Sequence, residues 1–211
     1  MISKNATGYN GAKLSLIVFI SIFLSMQCLD ARIALKIMQI LESFRVLHKA
    51  TDNIPDLLPY IVSTGSVLMW VIYFYRHYKK KYGTKTQFLI LAATALPIAY
   101  LLKMFFQFMF GRTGTRQWLL VKGPLVFNWF NDLTNGSFPS GHMTVFAAFG
   151  TALLIYYPKY RKQVWILLML LGSALILTDY HFLSDVIAGA YLGATTTYLL
   201  WKVFKKRNVT L

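Results

Sequence analysis

Apolar stretches of about 15–20 residues recur along the chain, the length a helix needs to cross roughly 30 Å of hydrocarbon. Lysine and arginine crowd their ends. Inside a bilayer every backbone N–H and C=O must find its partner within the protein, and a helix achieves this segment by segment. The pattern therefore predicts an all-α, polytopic membrane protein. Composition agrees: 56% of the 211 residues are hydrophobic, 14% are charged and the mean hydropathy is +0.50, above the range of soluble domains. Six transmembrane helices are expected near Leu14–Leu29, Pro59–Tyr75, Gln87–Phe106, Met143–Tyr157, Val164–Thr178 and Val186–Phe204, in one membrane-embedded domain covering residues 1–211.

The net charge of +15 points to anionic lipid headgroups rather than nucleic acid, because the basic residues sit at the ends of apolar segments. Arg76, Lys79, Lys80, Lys81 and Lys85 fill the second connection, Lys159, Arg161 and Lys162 the fourth, and Lys202, Lys205, Lys206 and Arg207 the tail. These sides are read as cytoplasmic, which puts both termini inside and connections one, three and five on the outer face. A bacterial inner (plasma) membrane is the expected location. The run after polar Met1 to Lys13 meets no small-residue cleavage site before Gln27, Cys28, Leu29 and Asp30, so it reads as a retained first span. Cys28 is the sole cysteine; it excludes an intrachain disulfide and a cysteine-rich metal site, and reads as a small buried hydrophobe. Between the first two spans Ile33, Ile37, Ile40, Leu41, Phe44 and Leu47 recur at helical spacing opposite Arg32, Lys36, Gln39 and Ser43, which predicts an interfacial amphipathic helix.

The reactive side chains collect in connections three and five: Arg112, Arg116, Lys122, Asp132, Ser140 and His142 in one, Asp179, His181 and Asp185 in the other. An outward-facing site follows. Connection three is too long for a turn, and loops of that length in compact domains are commonly functional. Its Trp118, Phe127, Trp129, Phe130 and Phe138 suit the headgroup level.

Pro139-Ser140-Gly141-His142 stands immediately before the fourth span. A helix start presents unpaired N–H groups and a positive dipole end, and Gly141 lets an anion approach the backbone, so Ser140 and Gly141 are candidate phosphate contacts. His181 and Asp185 sit four apart at the mouth of the sixth span. On a helix that spacing lets the carboxylate hold one imidazole nitrogen and leave the other free to attack; the alternative is a helix start stabilised by Asp185 beside a passive histidine. Arg112 and Arg116 follow the third span, and guanidinium forks match the equatorial oxygens of a transferring phosphoryl group, although nonspecific headgroup binding would use the same residues. Lys103, about two turns inward of Arg112, is placed to snorkel or to reach the site.

With six spans, Pro139-Ser140-Gly141-His142, then His181 and Asp185, the sequence resembles the type 2 phosphatidic acid phosphatase superfamily, which is related to vanadium haloperoxidases. That family's pattern is Lys, six residues, Arg-Pro; then Pro-Ser-Gly-His; then Ser-Arg, five residues, His, three residues, Asp. The second motif matches completely. In the third, the Ser-Arg pair falls on Ala174 and Leu175; in the first, lysine falls on Gln107 and Arg-Pro on Gly114-Thr115. Lys103 and Arg116 would fill those roles from displaced positions.

The resemblance implies a metal-independent phosphoric ester hydrolase acting on a phosphorylated membrane lipid, with no cofactor and no metal ligands. His181, oriented by Asp185, attacks phosphorus; Arg112, Arg116 and the N–H groups of Ser140 and Gly141 hold the oxygens; His142 protonates the leaving alkoxide and then activates water. A lipid phosphotransferase of the same fold and a non-catalytic lipid-phosphate binder are the alternatives. A channel or transporter has little support, because the spans carry neither repeats nor broken helices.

Overall fold

The structure, a computed structural model, describes residues 4–42, 57–121, 125, 127–130 and 136–207. Among them the chain forms α1 (Lys4–Leu24), α2 (Asp30–Glu42), α3 (Leu58–Tyr78), α4 (Thr84–Phe110), α5 (Thr115–Val121), α6 (Gly141–Tyr156), α7 (Arg161–Leu177) and α8 (Leu183–Lys206). The described residues include no strand, only the isolated bridges Arg112 to Phe127 and Thr113 to Gly136. The all-α expectation is met.

Among the described residues four stretches are long and apolar enough to cross a membrane: Gly11–Ile40, Leu58–Tyr78, Thr84–Phe110 and Pro158–Leu177. They expose Ile17, Phe19, Val67, Val71, Leu167 and Met169 over half their surface; so much outward apolar area is ordinary only against lipid. The protein is an integral membrane protein. α6 is shorter, at 16 residues, about 24 Å of helix.

The first span and the expected interfacial helix are one continuous helical run. A π-helical turn, Ser25–Leu29, joins α1 to α2 with no break, and Glu42 ends the described part, so Ser43, Phe44 and Leu47 lie outside it. The buried positions explain the turn: Ile22, Ser25, Asp30 and Ala34 advance by three, five and four residues. A step of five leaves a regular helical face, and a turn widened by one residue restores it. The amphipathic pattern beyond it is used against protein: Ala34 packs with Trp118, Leu119 and Phe182. Cys28, read as buried, is exposed.

Behind the site, Leu58 and Val62 of α3, Leu91, Ala92 and Leu96 of α4, and Val145 and Ala152 of α6 form a continuous core. α6 and α8 lie closer still. A Cβ on Gly189 would meet the Ser140 carbonyl at 2.6 Å, one on Gly193 would overlap the Thr144 carbonyl, and Thr197 Oγ1 donates to the Ala148 carbonyl at 3.1 Å. Small residues four apart allow backbones to approach in this way. The paired positions rise together in both helices, so α6 and α8 run parallel and start at the same level.

Lys103 lies against Gly141, and Leu175 packs with Met143 and Val186. The ends of α4 and α7 therefore meet the starts of α6 and α8 at one end of the bundle. Their opposite termini carry Lys79 to Lys81, Lys85, Lys159, Arg161, Lys162, Lys205 and Lys206.

Candidate active site

α4 stops at Gly111, whose φ of 53° is left-handed and whose N–H donates to the Gln107 carbonyl at 2.9 Å. A side chain there would run into the Asn128 backbone, so glycine is required both by conformation and by space. The chain then turns back along the bundle end. Asn128 N–H donates to the Gly111 carbonyl at 3.1 Å and Ser137 N–H to the Arg112 carbonyl at 2.9 Å, pinning both strands of the long connection. Lys122 and Asp132 lie outside the described residues.

This turn drives Arg112 inward to 1% exposure. One terminal nitrogen donates to Asp185 Oδ1 at 2.5 Å and to Ser184 Oγ at 2.7 Å; the other donates to Asp30 Oδ2 at 2.7 Å. The guanidinium faces the Phe182 ring at 4.5 Å. Expected to grip phosphate, Arg112 instead has its fork closed on two carboxylates. Charge-assisted, partly bidentate pairing of this kind is what makes a buried guanidinium tolerable.

Asp30 was not anticipated. Its carboxylate also accepts the Ser184 N–H at 3.1 Å and the Ser184 hydroxyl at 2.5 Å, tying α2 to the start of α8. The available signal was a lone acid in an otherwise apolar run, which is costly in a membrane and marks a paired residue.

Asp185 is fully buried. Its Oδ2 accepts Ser137 Oγ at 2.5 Å and Phe182 N–H at 3.1 Å, and lies 3.6 Å from His181 Nδ1. The pairing of His181 with Asp185 is present, though not on one helical face: α8 begins at Leu183, so His181 sits just outside it and Asp185 caps the first turn. The separation is longer than a hydrogen bond, and catalytic pairs of this kind commonly tighten only with substrate bound.

His142, the second residue of α6, packs its ring on Tyr180 with centroids 5.7 Å apart; His181 packs on the same ring at 5.6 Å. Arg116 lies over it at 4.9 Å and donates to the Thr178 carbonyl at 3.0 Å. Tyr180, also unanticipated, is therefore the common neighbour of both histidines and one arginine. Asp179 beside it is fully buried with φ 52°.

Ser140 caps α6, its hydroxyl accepting Met143 N–H at 3.4 Å. Its own N–H donates to the Asp185 carbonyl at 3.0 Å, so it fixes α6 to α8 rather than facing an anion, against expectation. Gly141 and His142 open the first turn of α6, where backbone N–H groups point out of the helix end. The terminal carbon and ammonium of Lys103 lie 2.7 and 3.1 Å from where a Gly141 side chain would begin, and Gln107 Nε2 donates to the Pro139 carbonyl at 3.3 Å. Lys103, expected to snorkel or to reach the site, lies against the start of α6. Among the described residues no group of three or more His, Cys, Asp or Glu is arranged to hold a metal ion.

The family model of the PAP2 superfamily matches residues 88–209, and the chain belongs to that superfamily. Lipid A 1-phosphatases of Rhizobium johnstonii and Rhizobium etli are 39% and 36% identical to it over 70 residues. That stretch is 33% of this chain and 29% and 30% of those proteins, less than a third of their length. A transmembrane PAP2 type phosphatidylglycerolphosphate phosphatase from Bacillus subtilis, known as a crystal structure, is similar at 21% identity with a TM-score of 0.38, covering 89% of this chain and 96% of that one.

Proposed function

We propose that the protein is a lipid phosphatase that cleaves a phosphate monoester or pyrophosphate from a lipid headgroup through a phosphohistidine. The observation that carries this reading is the packing of His142 and His181 on one tyrosine ring, beside a helix start flanked by Lys103. The two ring separations, laid end to end, set an upper limit on the distance between the imidazoles.

In the first half-reaction His181 Nε2, with Nδ1 turned toward Asp185, forms a bond to phosphorus as the bond to the lipid oxygen breaks. His142, protonated, gives that oxygen its proton. In the second, neutral His142 takes a proton from water, the resulting hydroxide displaces His181 from phosphorus, and inorganic phosphate leaves. The N–H groups of Gly141 and His142, Lys103 and Arg116 balance charge on the equatorial oxygens. Arg112 acts indirectly, holding Asp185. Arg116 reaches the turn that follows Leu175, supplying from α5 the positive charge that the family pattern puts at Leu175.

The scheme uses six crossings, α6 and α8 included, with the site at the outer face and the basic ends in the cytoplasm. Phosphate release from lipid phosphates by purified protein in detergent, with chelator present, tests it. His181→Ala abolishes turnover and His142→Ala blocks it after little or no product; unchanged release in His181→Ala would falsify the scheme. Leucine at position 175 favours one competing reading, a lipid-phosphate binder, which predicts saturable binding without release from any lipid phosphate. A phosphotransferase would consume substrate without stoichiometric free phosphate.

A further inference from the structure

Three helices that form the site continue away from it around an apolar cavity of about 570 Å³. On the first run, Asp30 marks the level of the site, and the cavity residues Met26 and Phe19 lie four and eleven residues back, about 6 to 16 Å along the axis. On α8, Asp185 marks the same level, and Ala188 and Leu192 lie about 4 to 10 Å beyond it. On α4 the cavity uses Phe110 at the site end and Phe106 one turn further in. All three lead from the bundle end toward its middle, parallel to the axis.

At the top of the cavity stand Phe138 and Pro139. The next two residues are Ser140 and Gly141, which open α6. The cavity wall and the candidate anion seat are thus consecutive residues of one chain segment. Phe19 and Phe23, both exposed, leave the cavity open sideways between α1 and its neighbours. The Tyr191 hydroxyl is engaged with Ser15 Oγ at 2.7 Å, which keeps its polar end satisfied outside the groove.

We propose that this cavity is a subsite for one hydrocarbon chain of the lipid phosphate, entered laterally from the bilayer. The proposal rests on the lipid-phosphatase reading and adds how the substrate is held. Its size falls within the range of small-ligand pockets, enough for one chain and not for a bundle of them. A chain in the bilayer is already out of water, so residence here gains little from hydrophobic transfer. What the groove supplies is orientation: a chain lying along α1 and α8 delivers its phosphate to the start of α6. Phe19, Phe23 and Met26 precede the segment matched by the family model, while Phe106, Ala188 and Leu192 lie within it.

The experiment compares dioleoyl phosphatidate in mixed micelles with water-soluble dihexanoyl phosphatidate, using wild type, Ala188→Phe and Leu192→Trp, each checked for an unchanged melting temperature. Filling the groove is expected to lower kcat/KM at least tenfold for the long-chain substrate and less than threefold for the short one. Equal loss on both, or no loss on either, overturns the proposal. In parallel, wild type and His181→Ala are photolabelled with a phosphatidate carrying a diazirine midway along one acyl chain. Labelling of α1 and α8 that is displaced by phosphatidate and not by diacylglycerol supports the subsite; displacement by both equally marks ordinary bilayer lipid and overturns it. Specific labelling without phosphate release from any lipid phosphate would overturn the phosphatase reading and leave the groove standing.

Discussion

Asp30→Ala isolates the buried cluster that ties the first helical run to the site. The carboxylate is fully buried and accepts three hydrogen bonds, one from Arg112 and two from Ser184. Its removal takes the acceptor from three buried donors: one terminal nitrogen of a 1% exposed guanidinium, the Ser184 N–H and the Ser184 hydroxyl. Breaking a buried ion pair costs about 3–5 kcal/mol, and Arg112 keeps Asp185, so the lower half of that range is expected. Asp30→Asn keeps an acceptor oxygen and loses the charge, at about 1–3 kcal/mol. Tryptophan fluorescence during SDS unfolding in mixed micelles measures both. The decisive comparison is the double variant Asp30→Leu with Arg112→Met, which removes both charges: its cost should fall short of the summed single effects by about 1 kcal/mol or more, whereas independent sites add within about 0.5 kcal/mol. Additive losses, or a cost below about 1 kcal/mol for Asp30→Ala, would refute a mutually dependent cluster.

Gly193→Leu should cost at least about 1–3 kcal/mol by overpacking and lower activity with stability, since it forces α6 from α8; Gly65→Ala, where an added Cβ meets nothing within 4 Å, should leave both unchanged in the same melts. Tyr180→Phe should keep near wild-type kcat, because the ring alone makes the described contacts, while Tyr180→Leu should lower kcat about 10²-fold with a small change in KM; equal kcat in the two variants would remove Tyr180 from the site. Arg116→Ala should lower kcat/KM about 10²–10³-fold, and Arg116→Lys should recover only part of it, since an ammonium lacks the planar fork.

What could be read from the sequence was what depends on neighbours in the chain. Apolar runs, the start of α6 at Ser140, and the closeness of His181 to Asp185 are local, and each is present. Lys103 was legible because two helical turns separate it from the end of α4. The contacts of Arg112 were not, because a guanidinium fork fits carboxylate and phosphate alike; only the fold shows that Asp30, 82 residues away, arrives first. Asp30 itself depends on a π-turn that shifts the helical register, and periodicity counted at 3.6 residues per turn gives no warning of it. The amphipathic stretch after it fits a membrane surface or a neighbouring helix equally well, and α5 and α8 supply the neighbour.

The side-by-side start of α6 and α8 has a mechanical corollary. The Ser140 N–H bonded to the Asp185 carbonyl, with Gly189 and Gly193 beneath it, acts as a dowel: it sets the gap between His142 and His181, and the intervening chain does not. The turn at Pro158–Tyr160, at the far end of the bundle, carries none of that registration. Severed there, the protein becomes two pieces, one carrying His142 and the other His181, and their docking along the glycine seam would rebuild the pair.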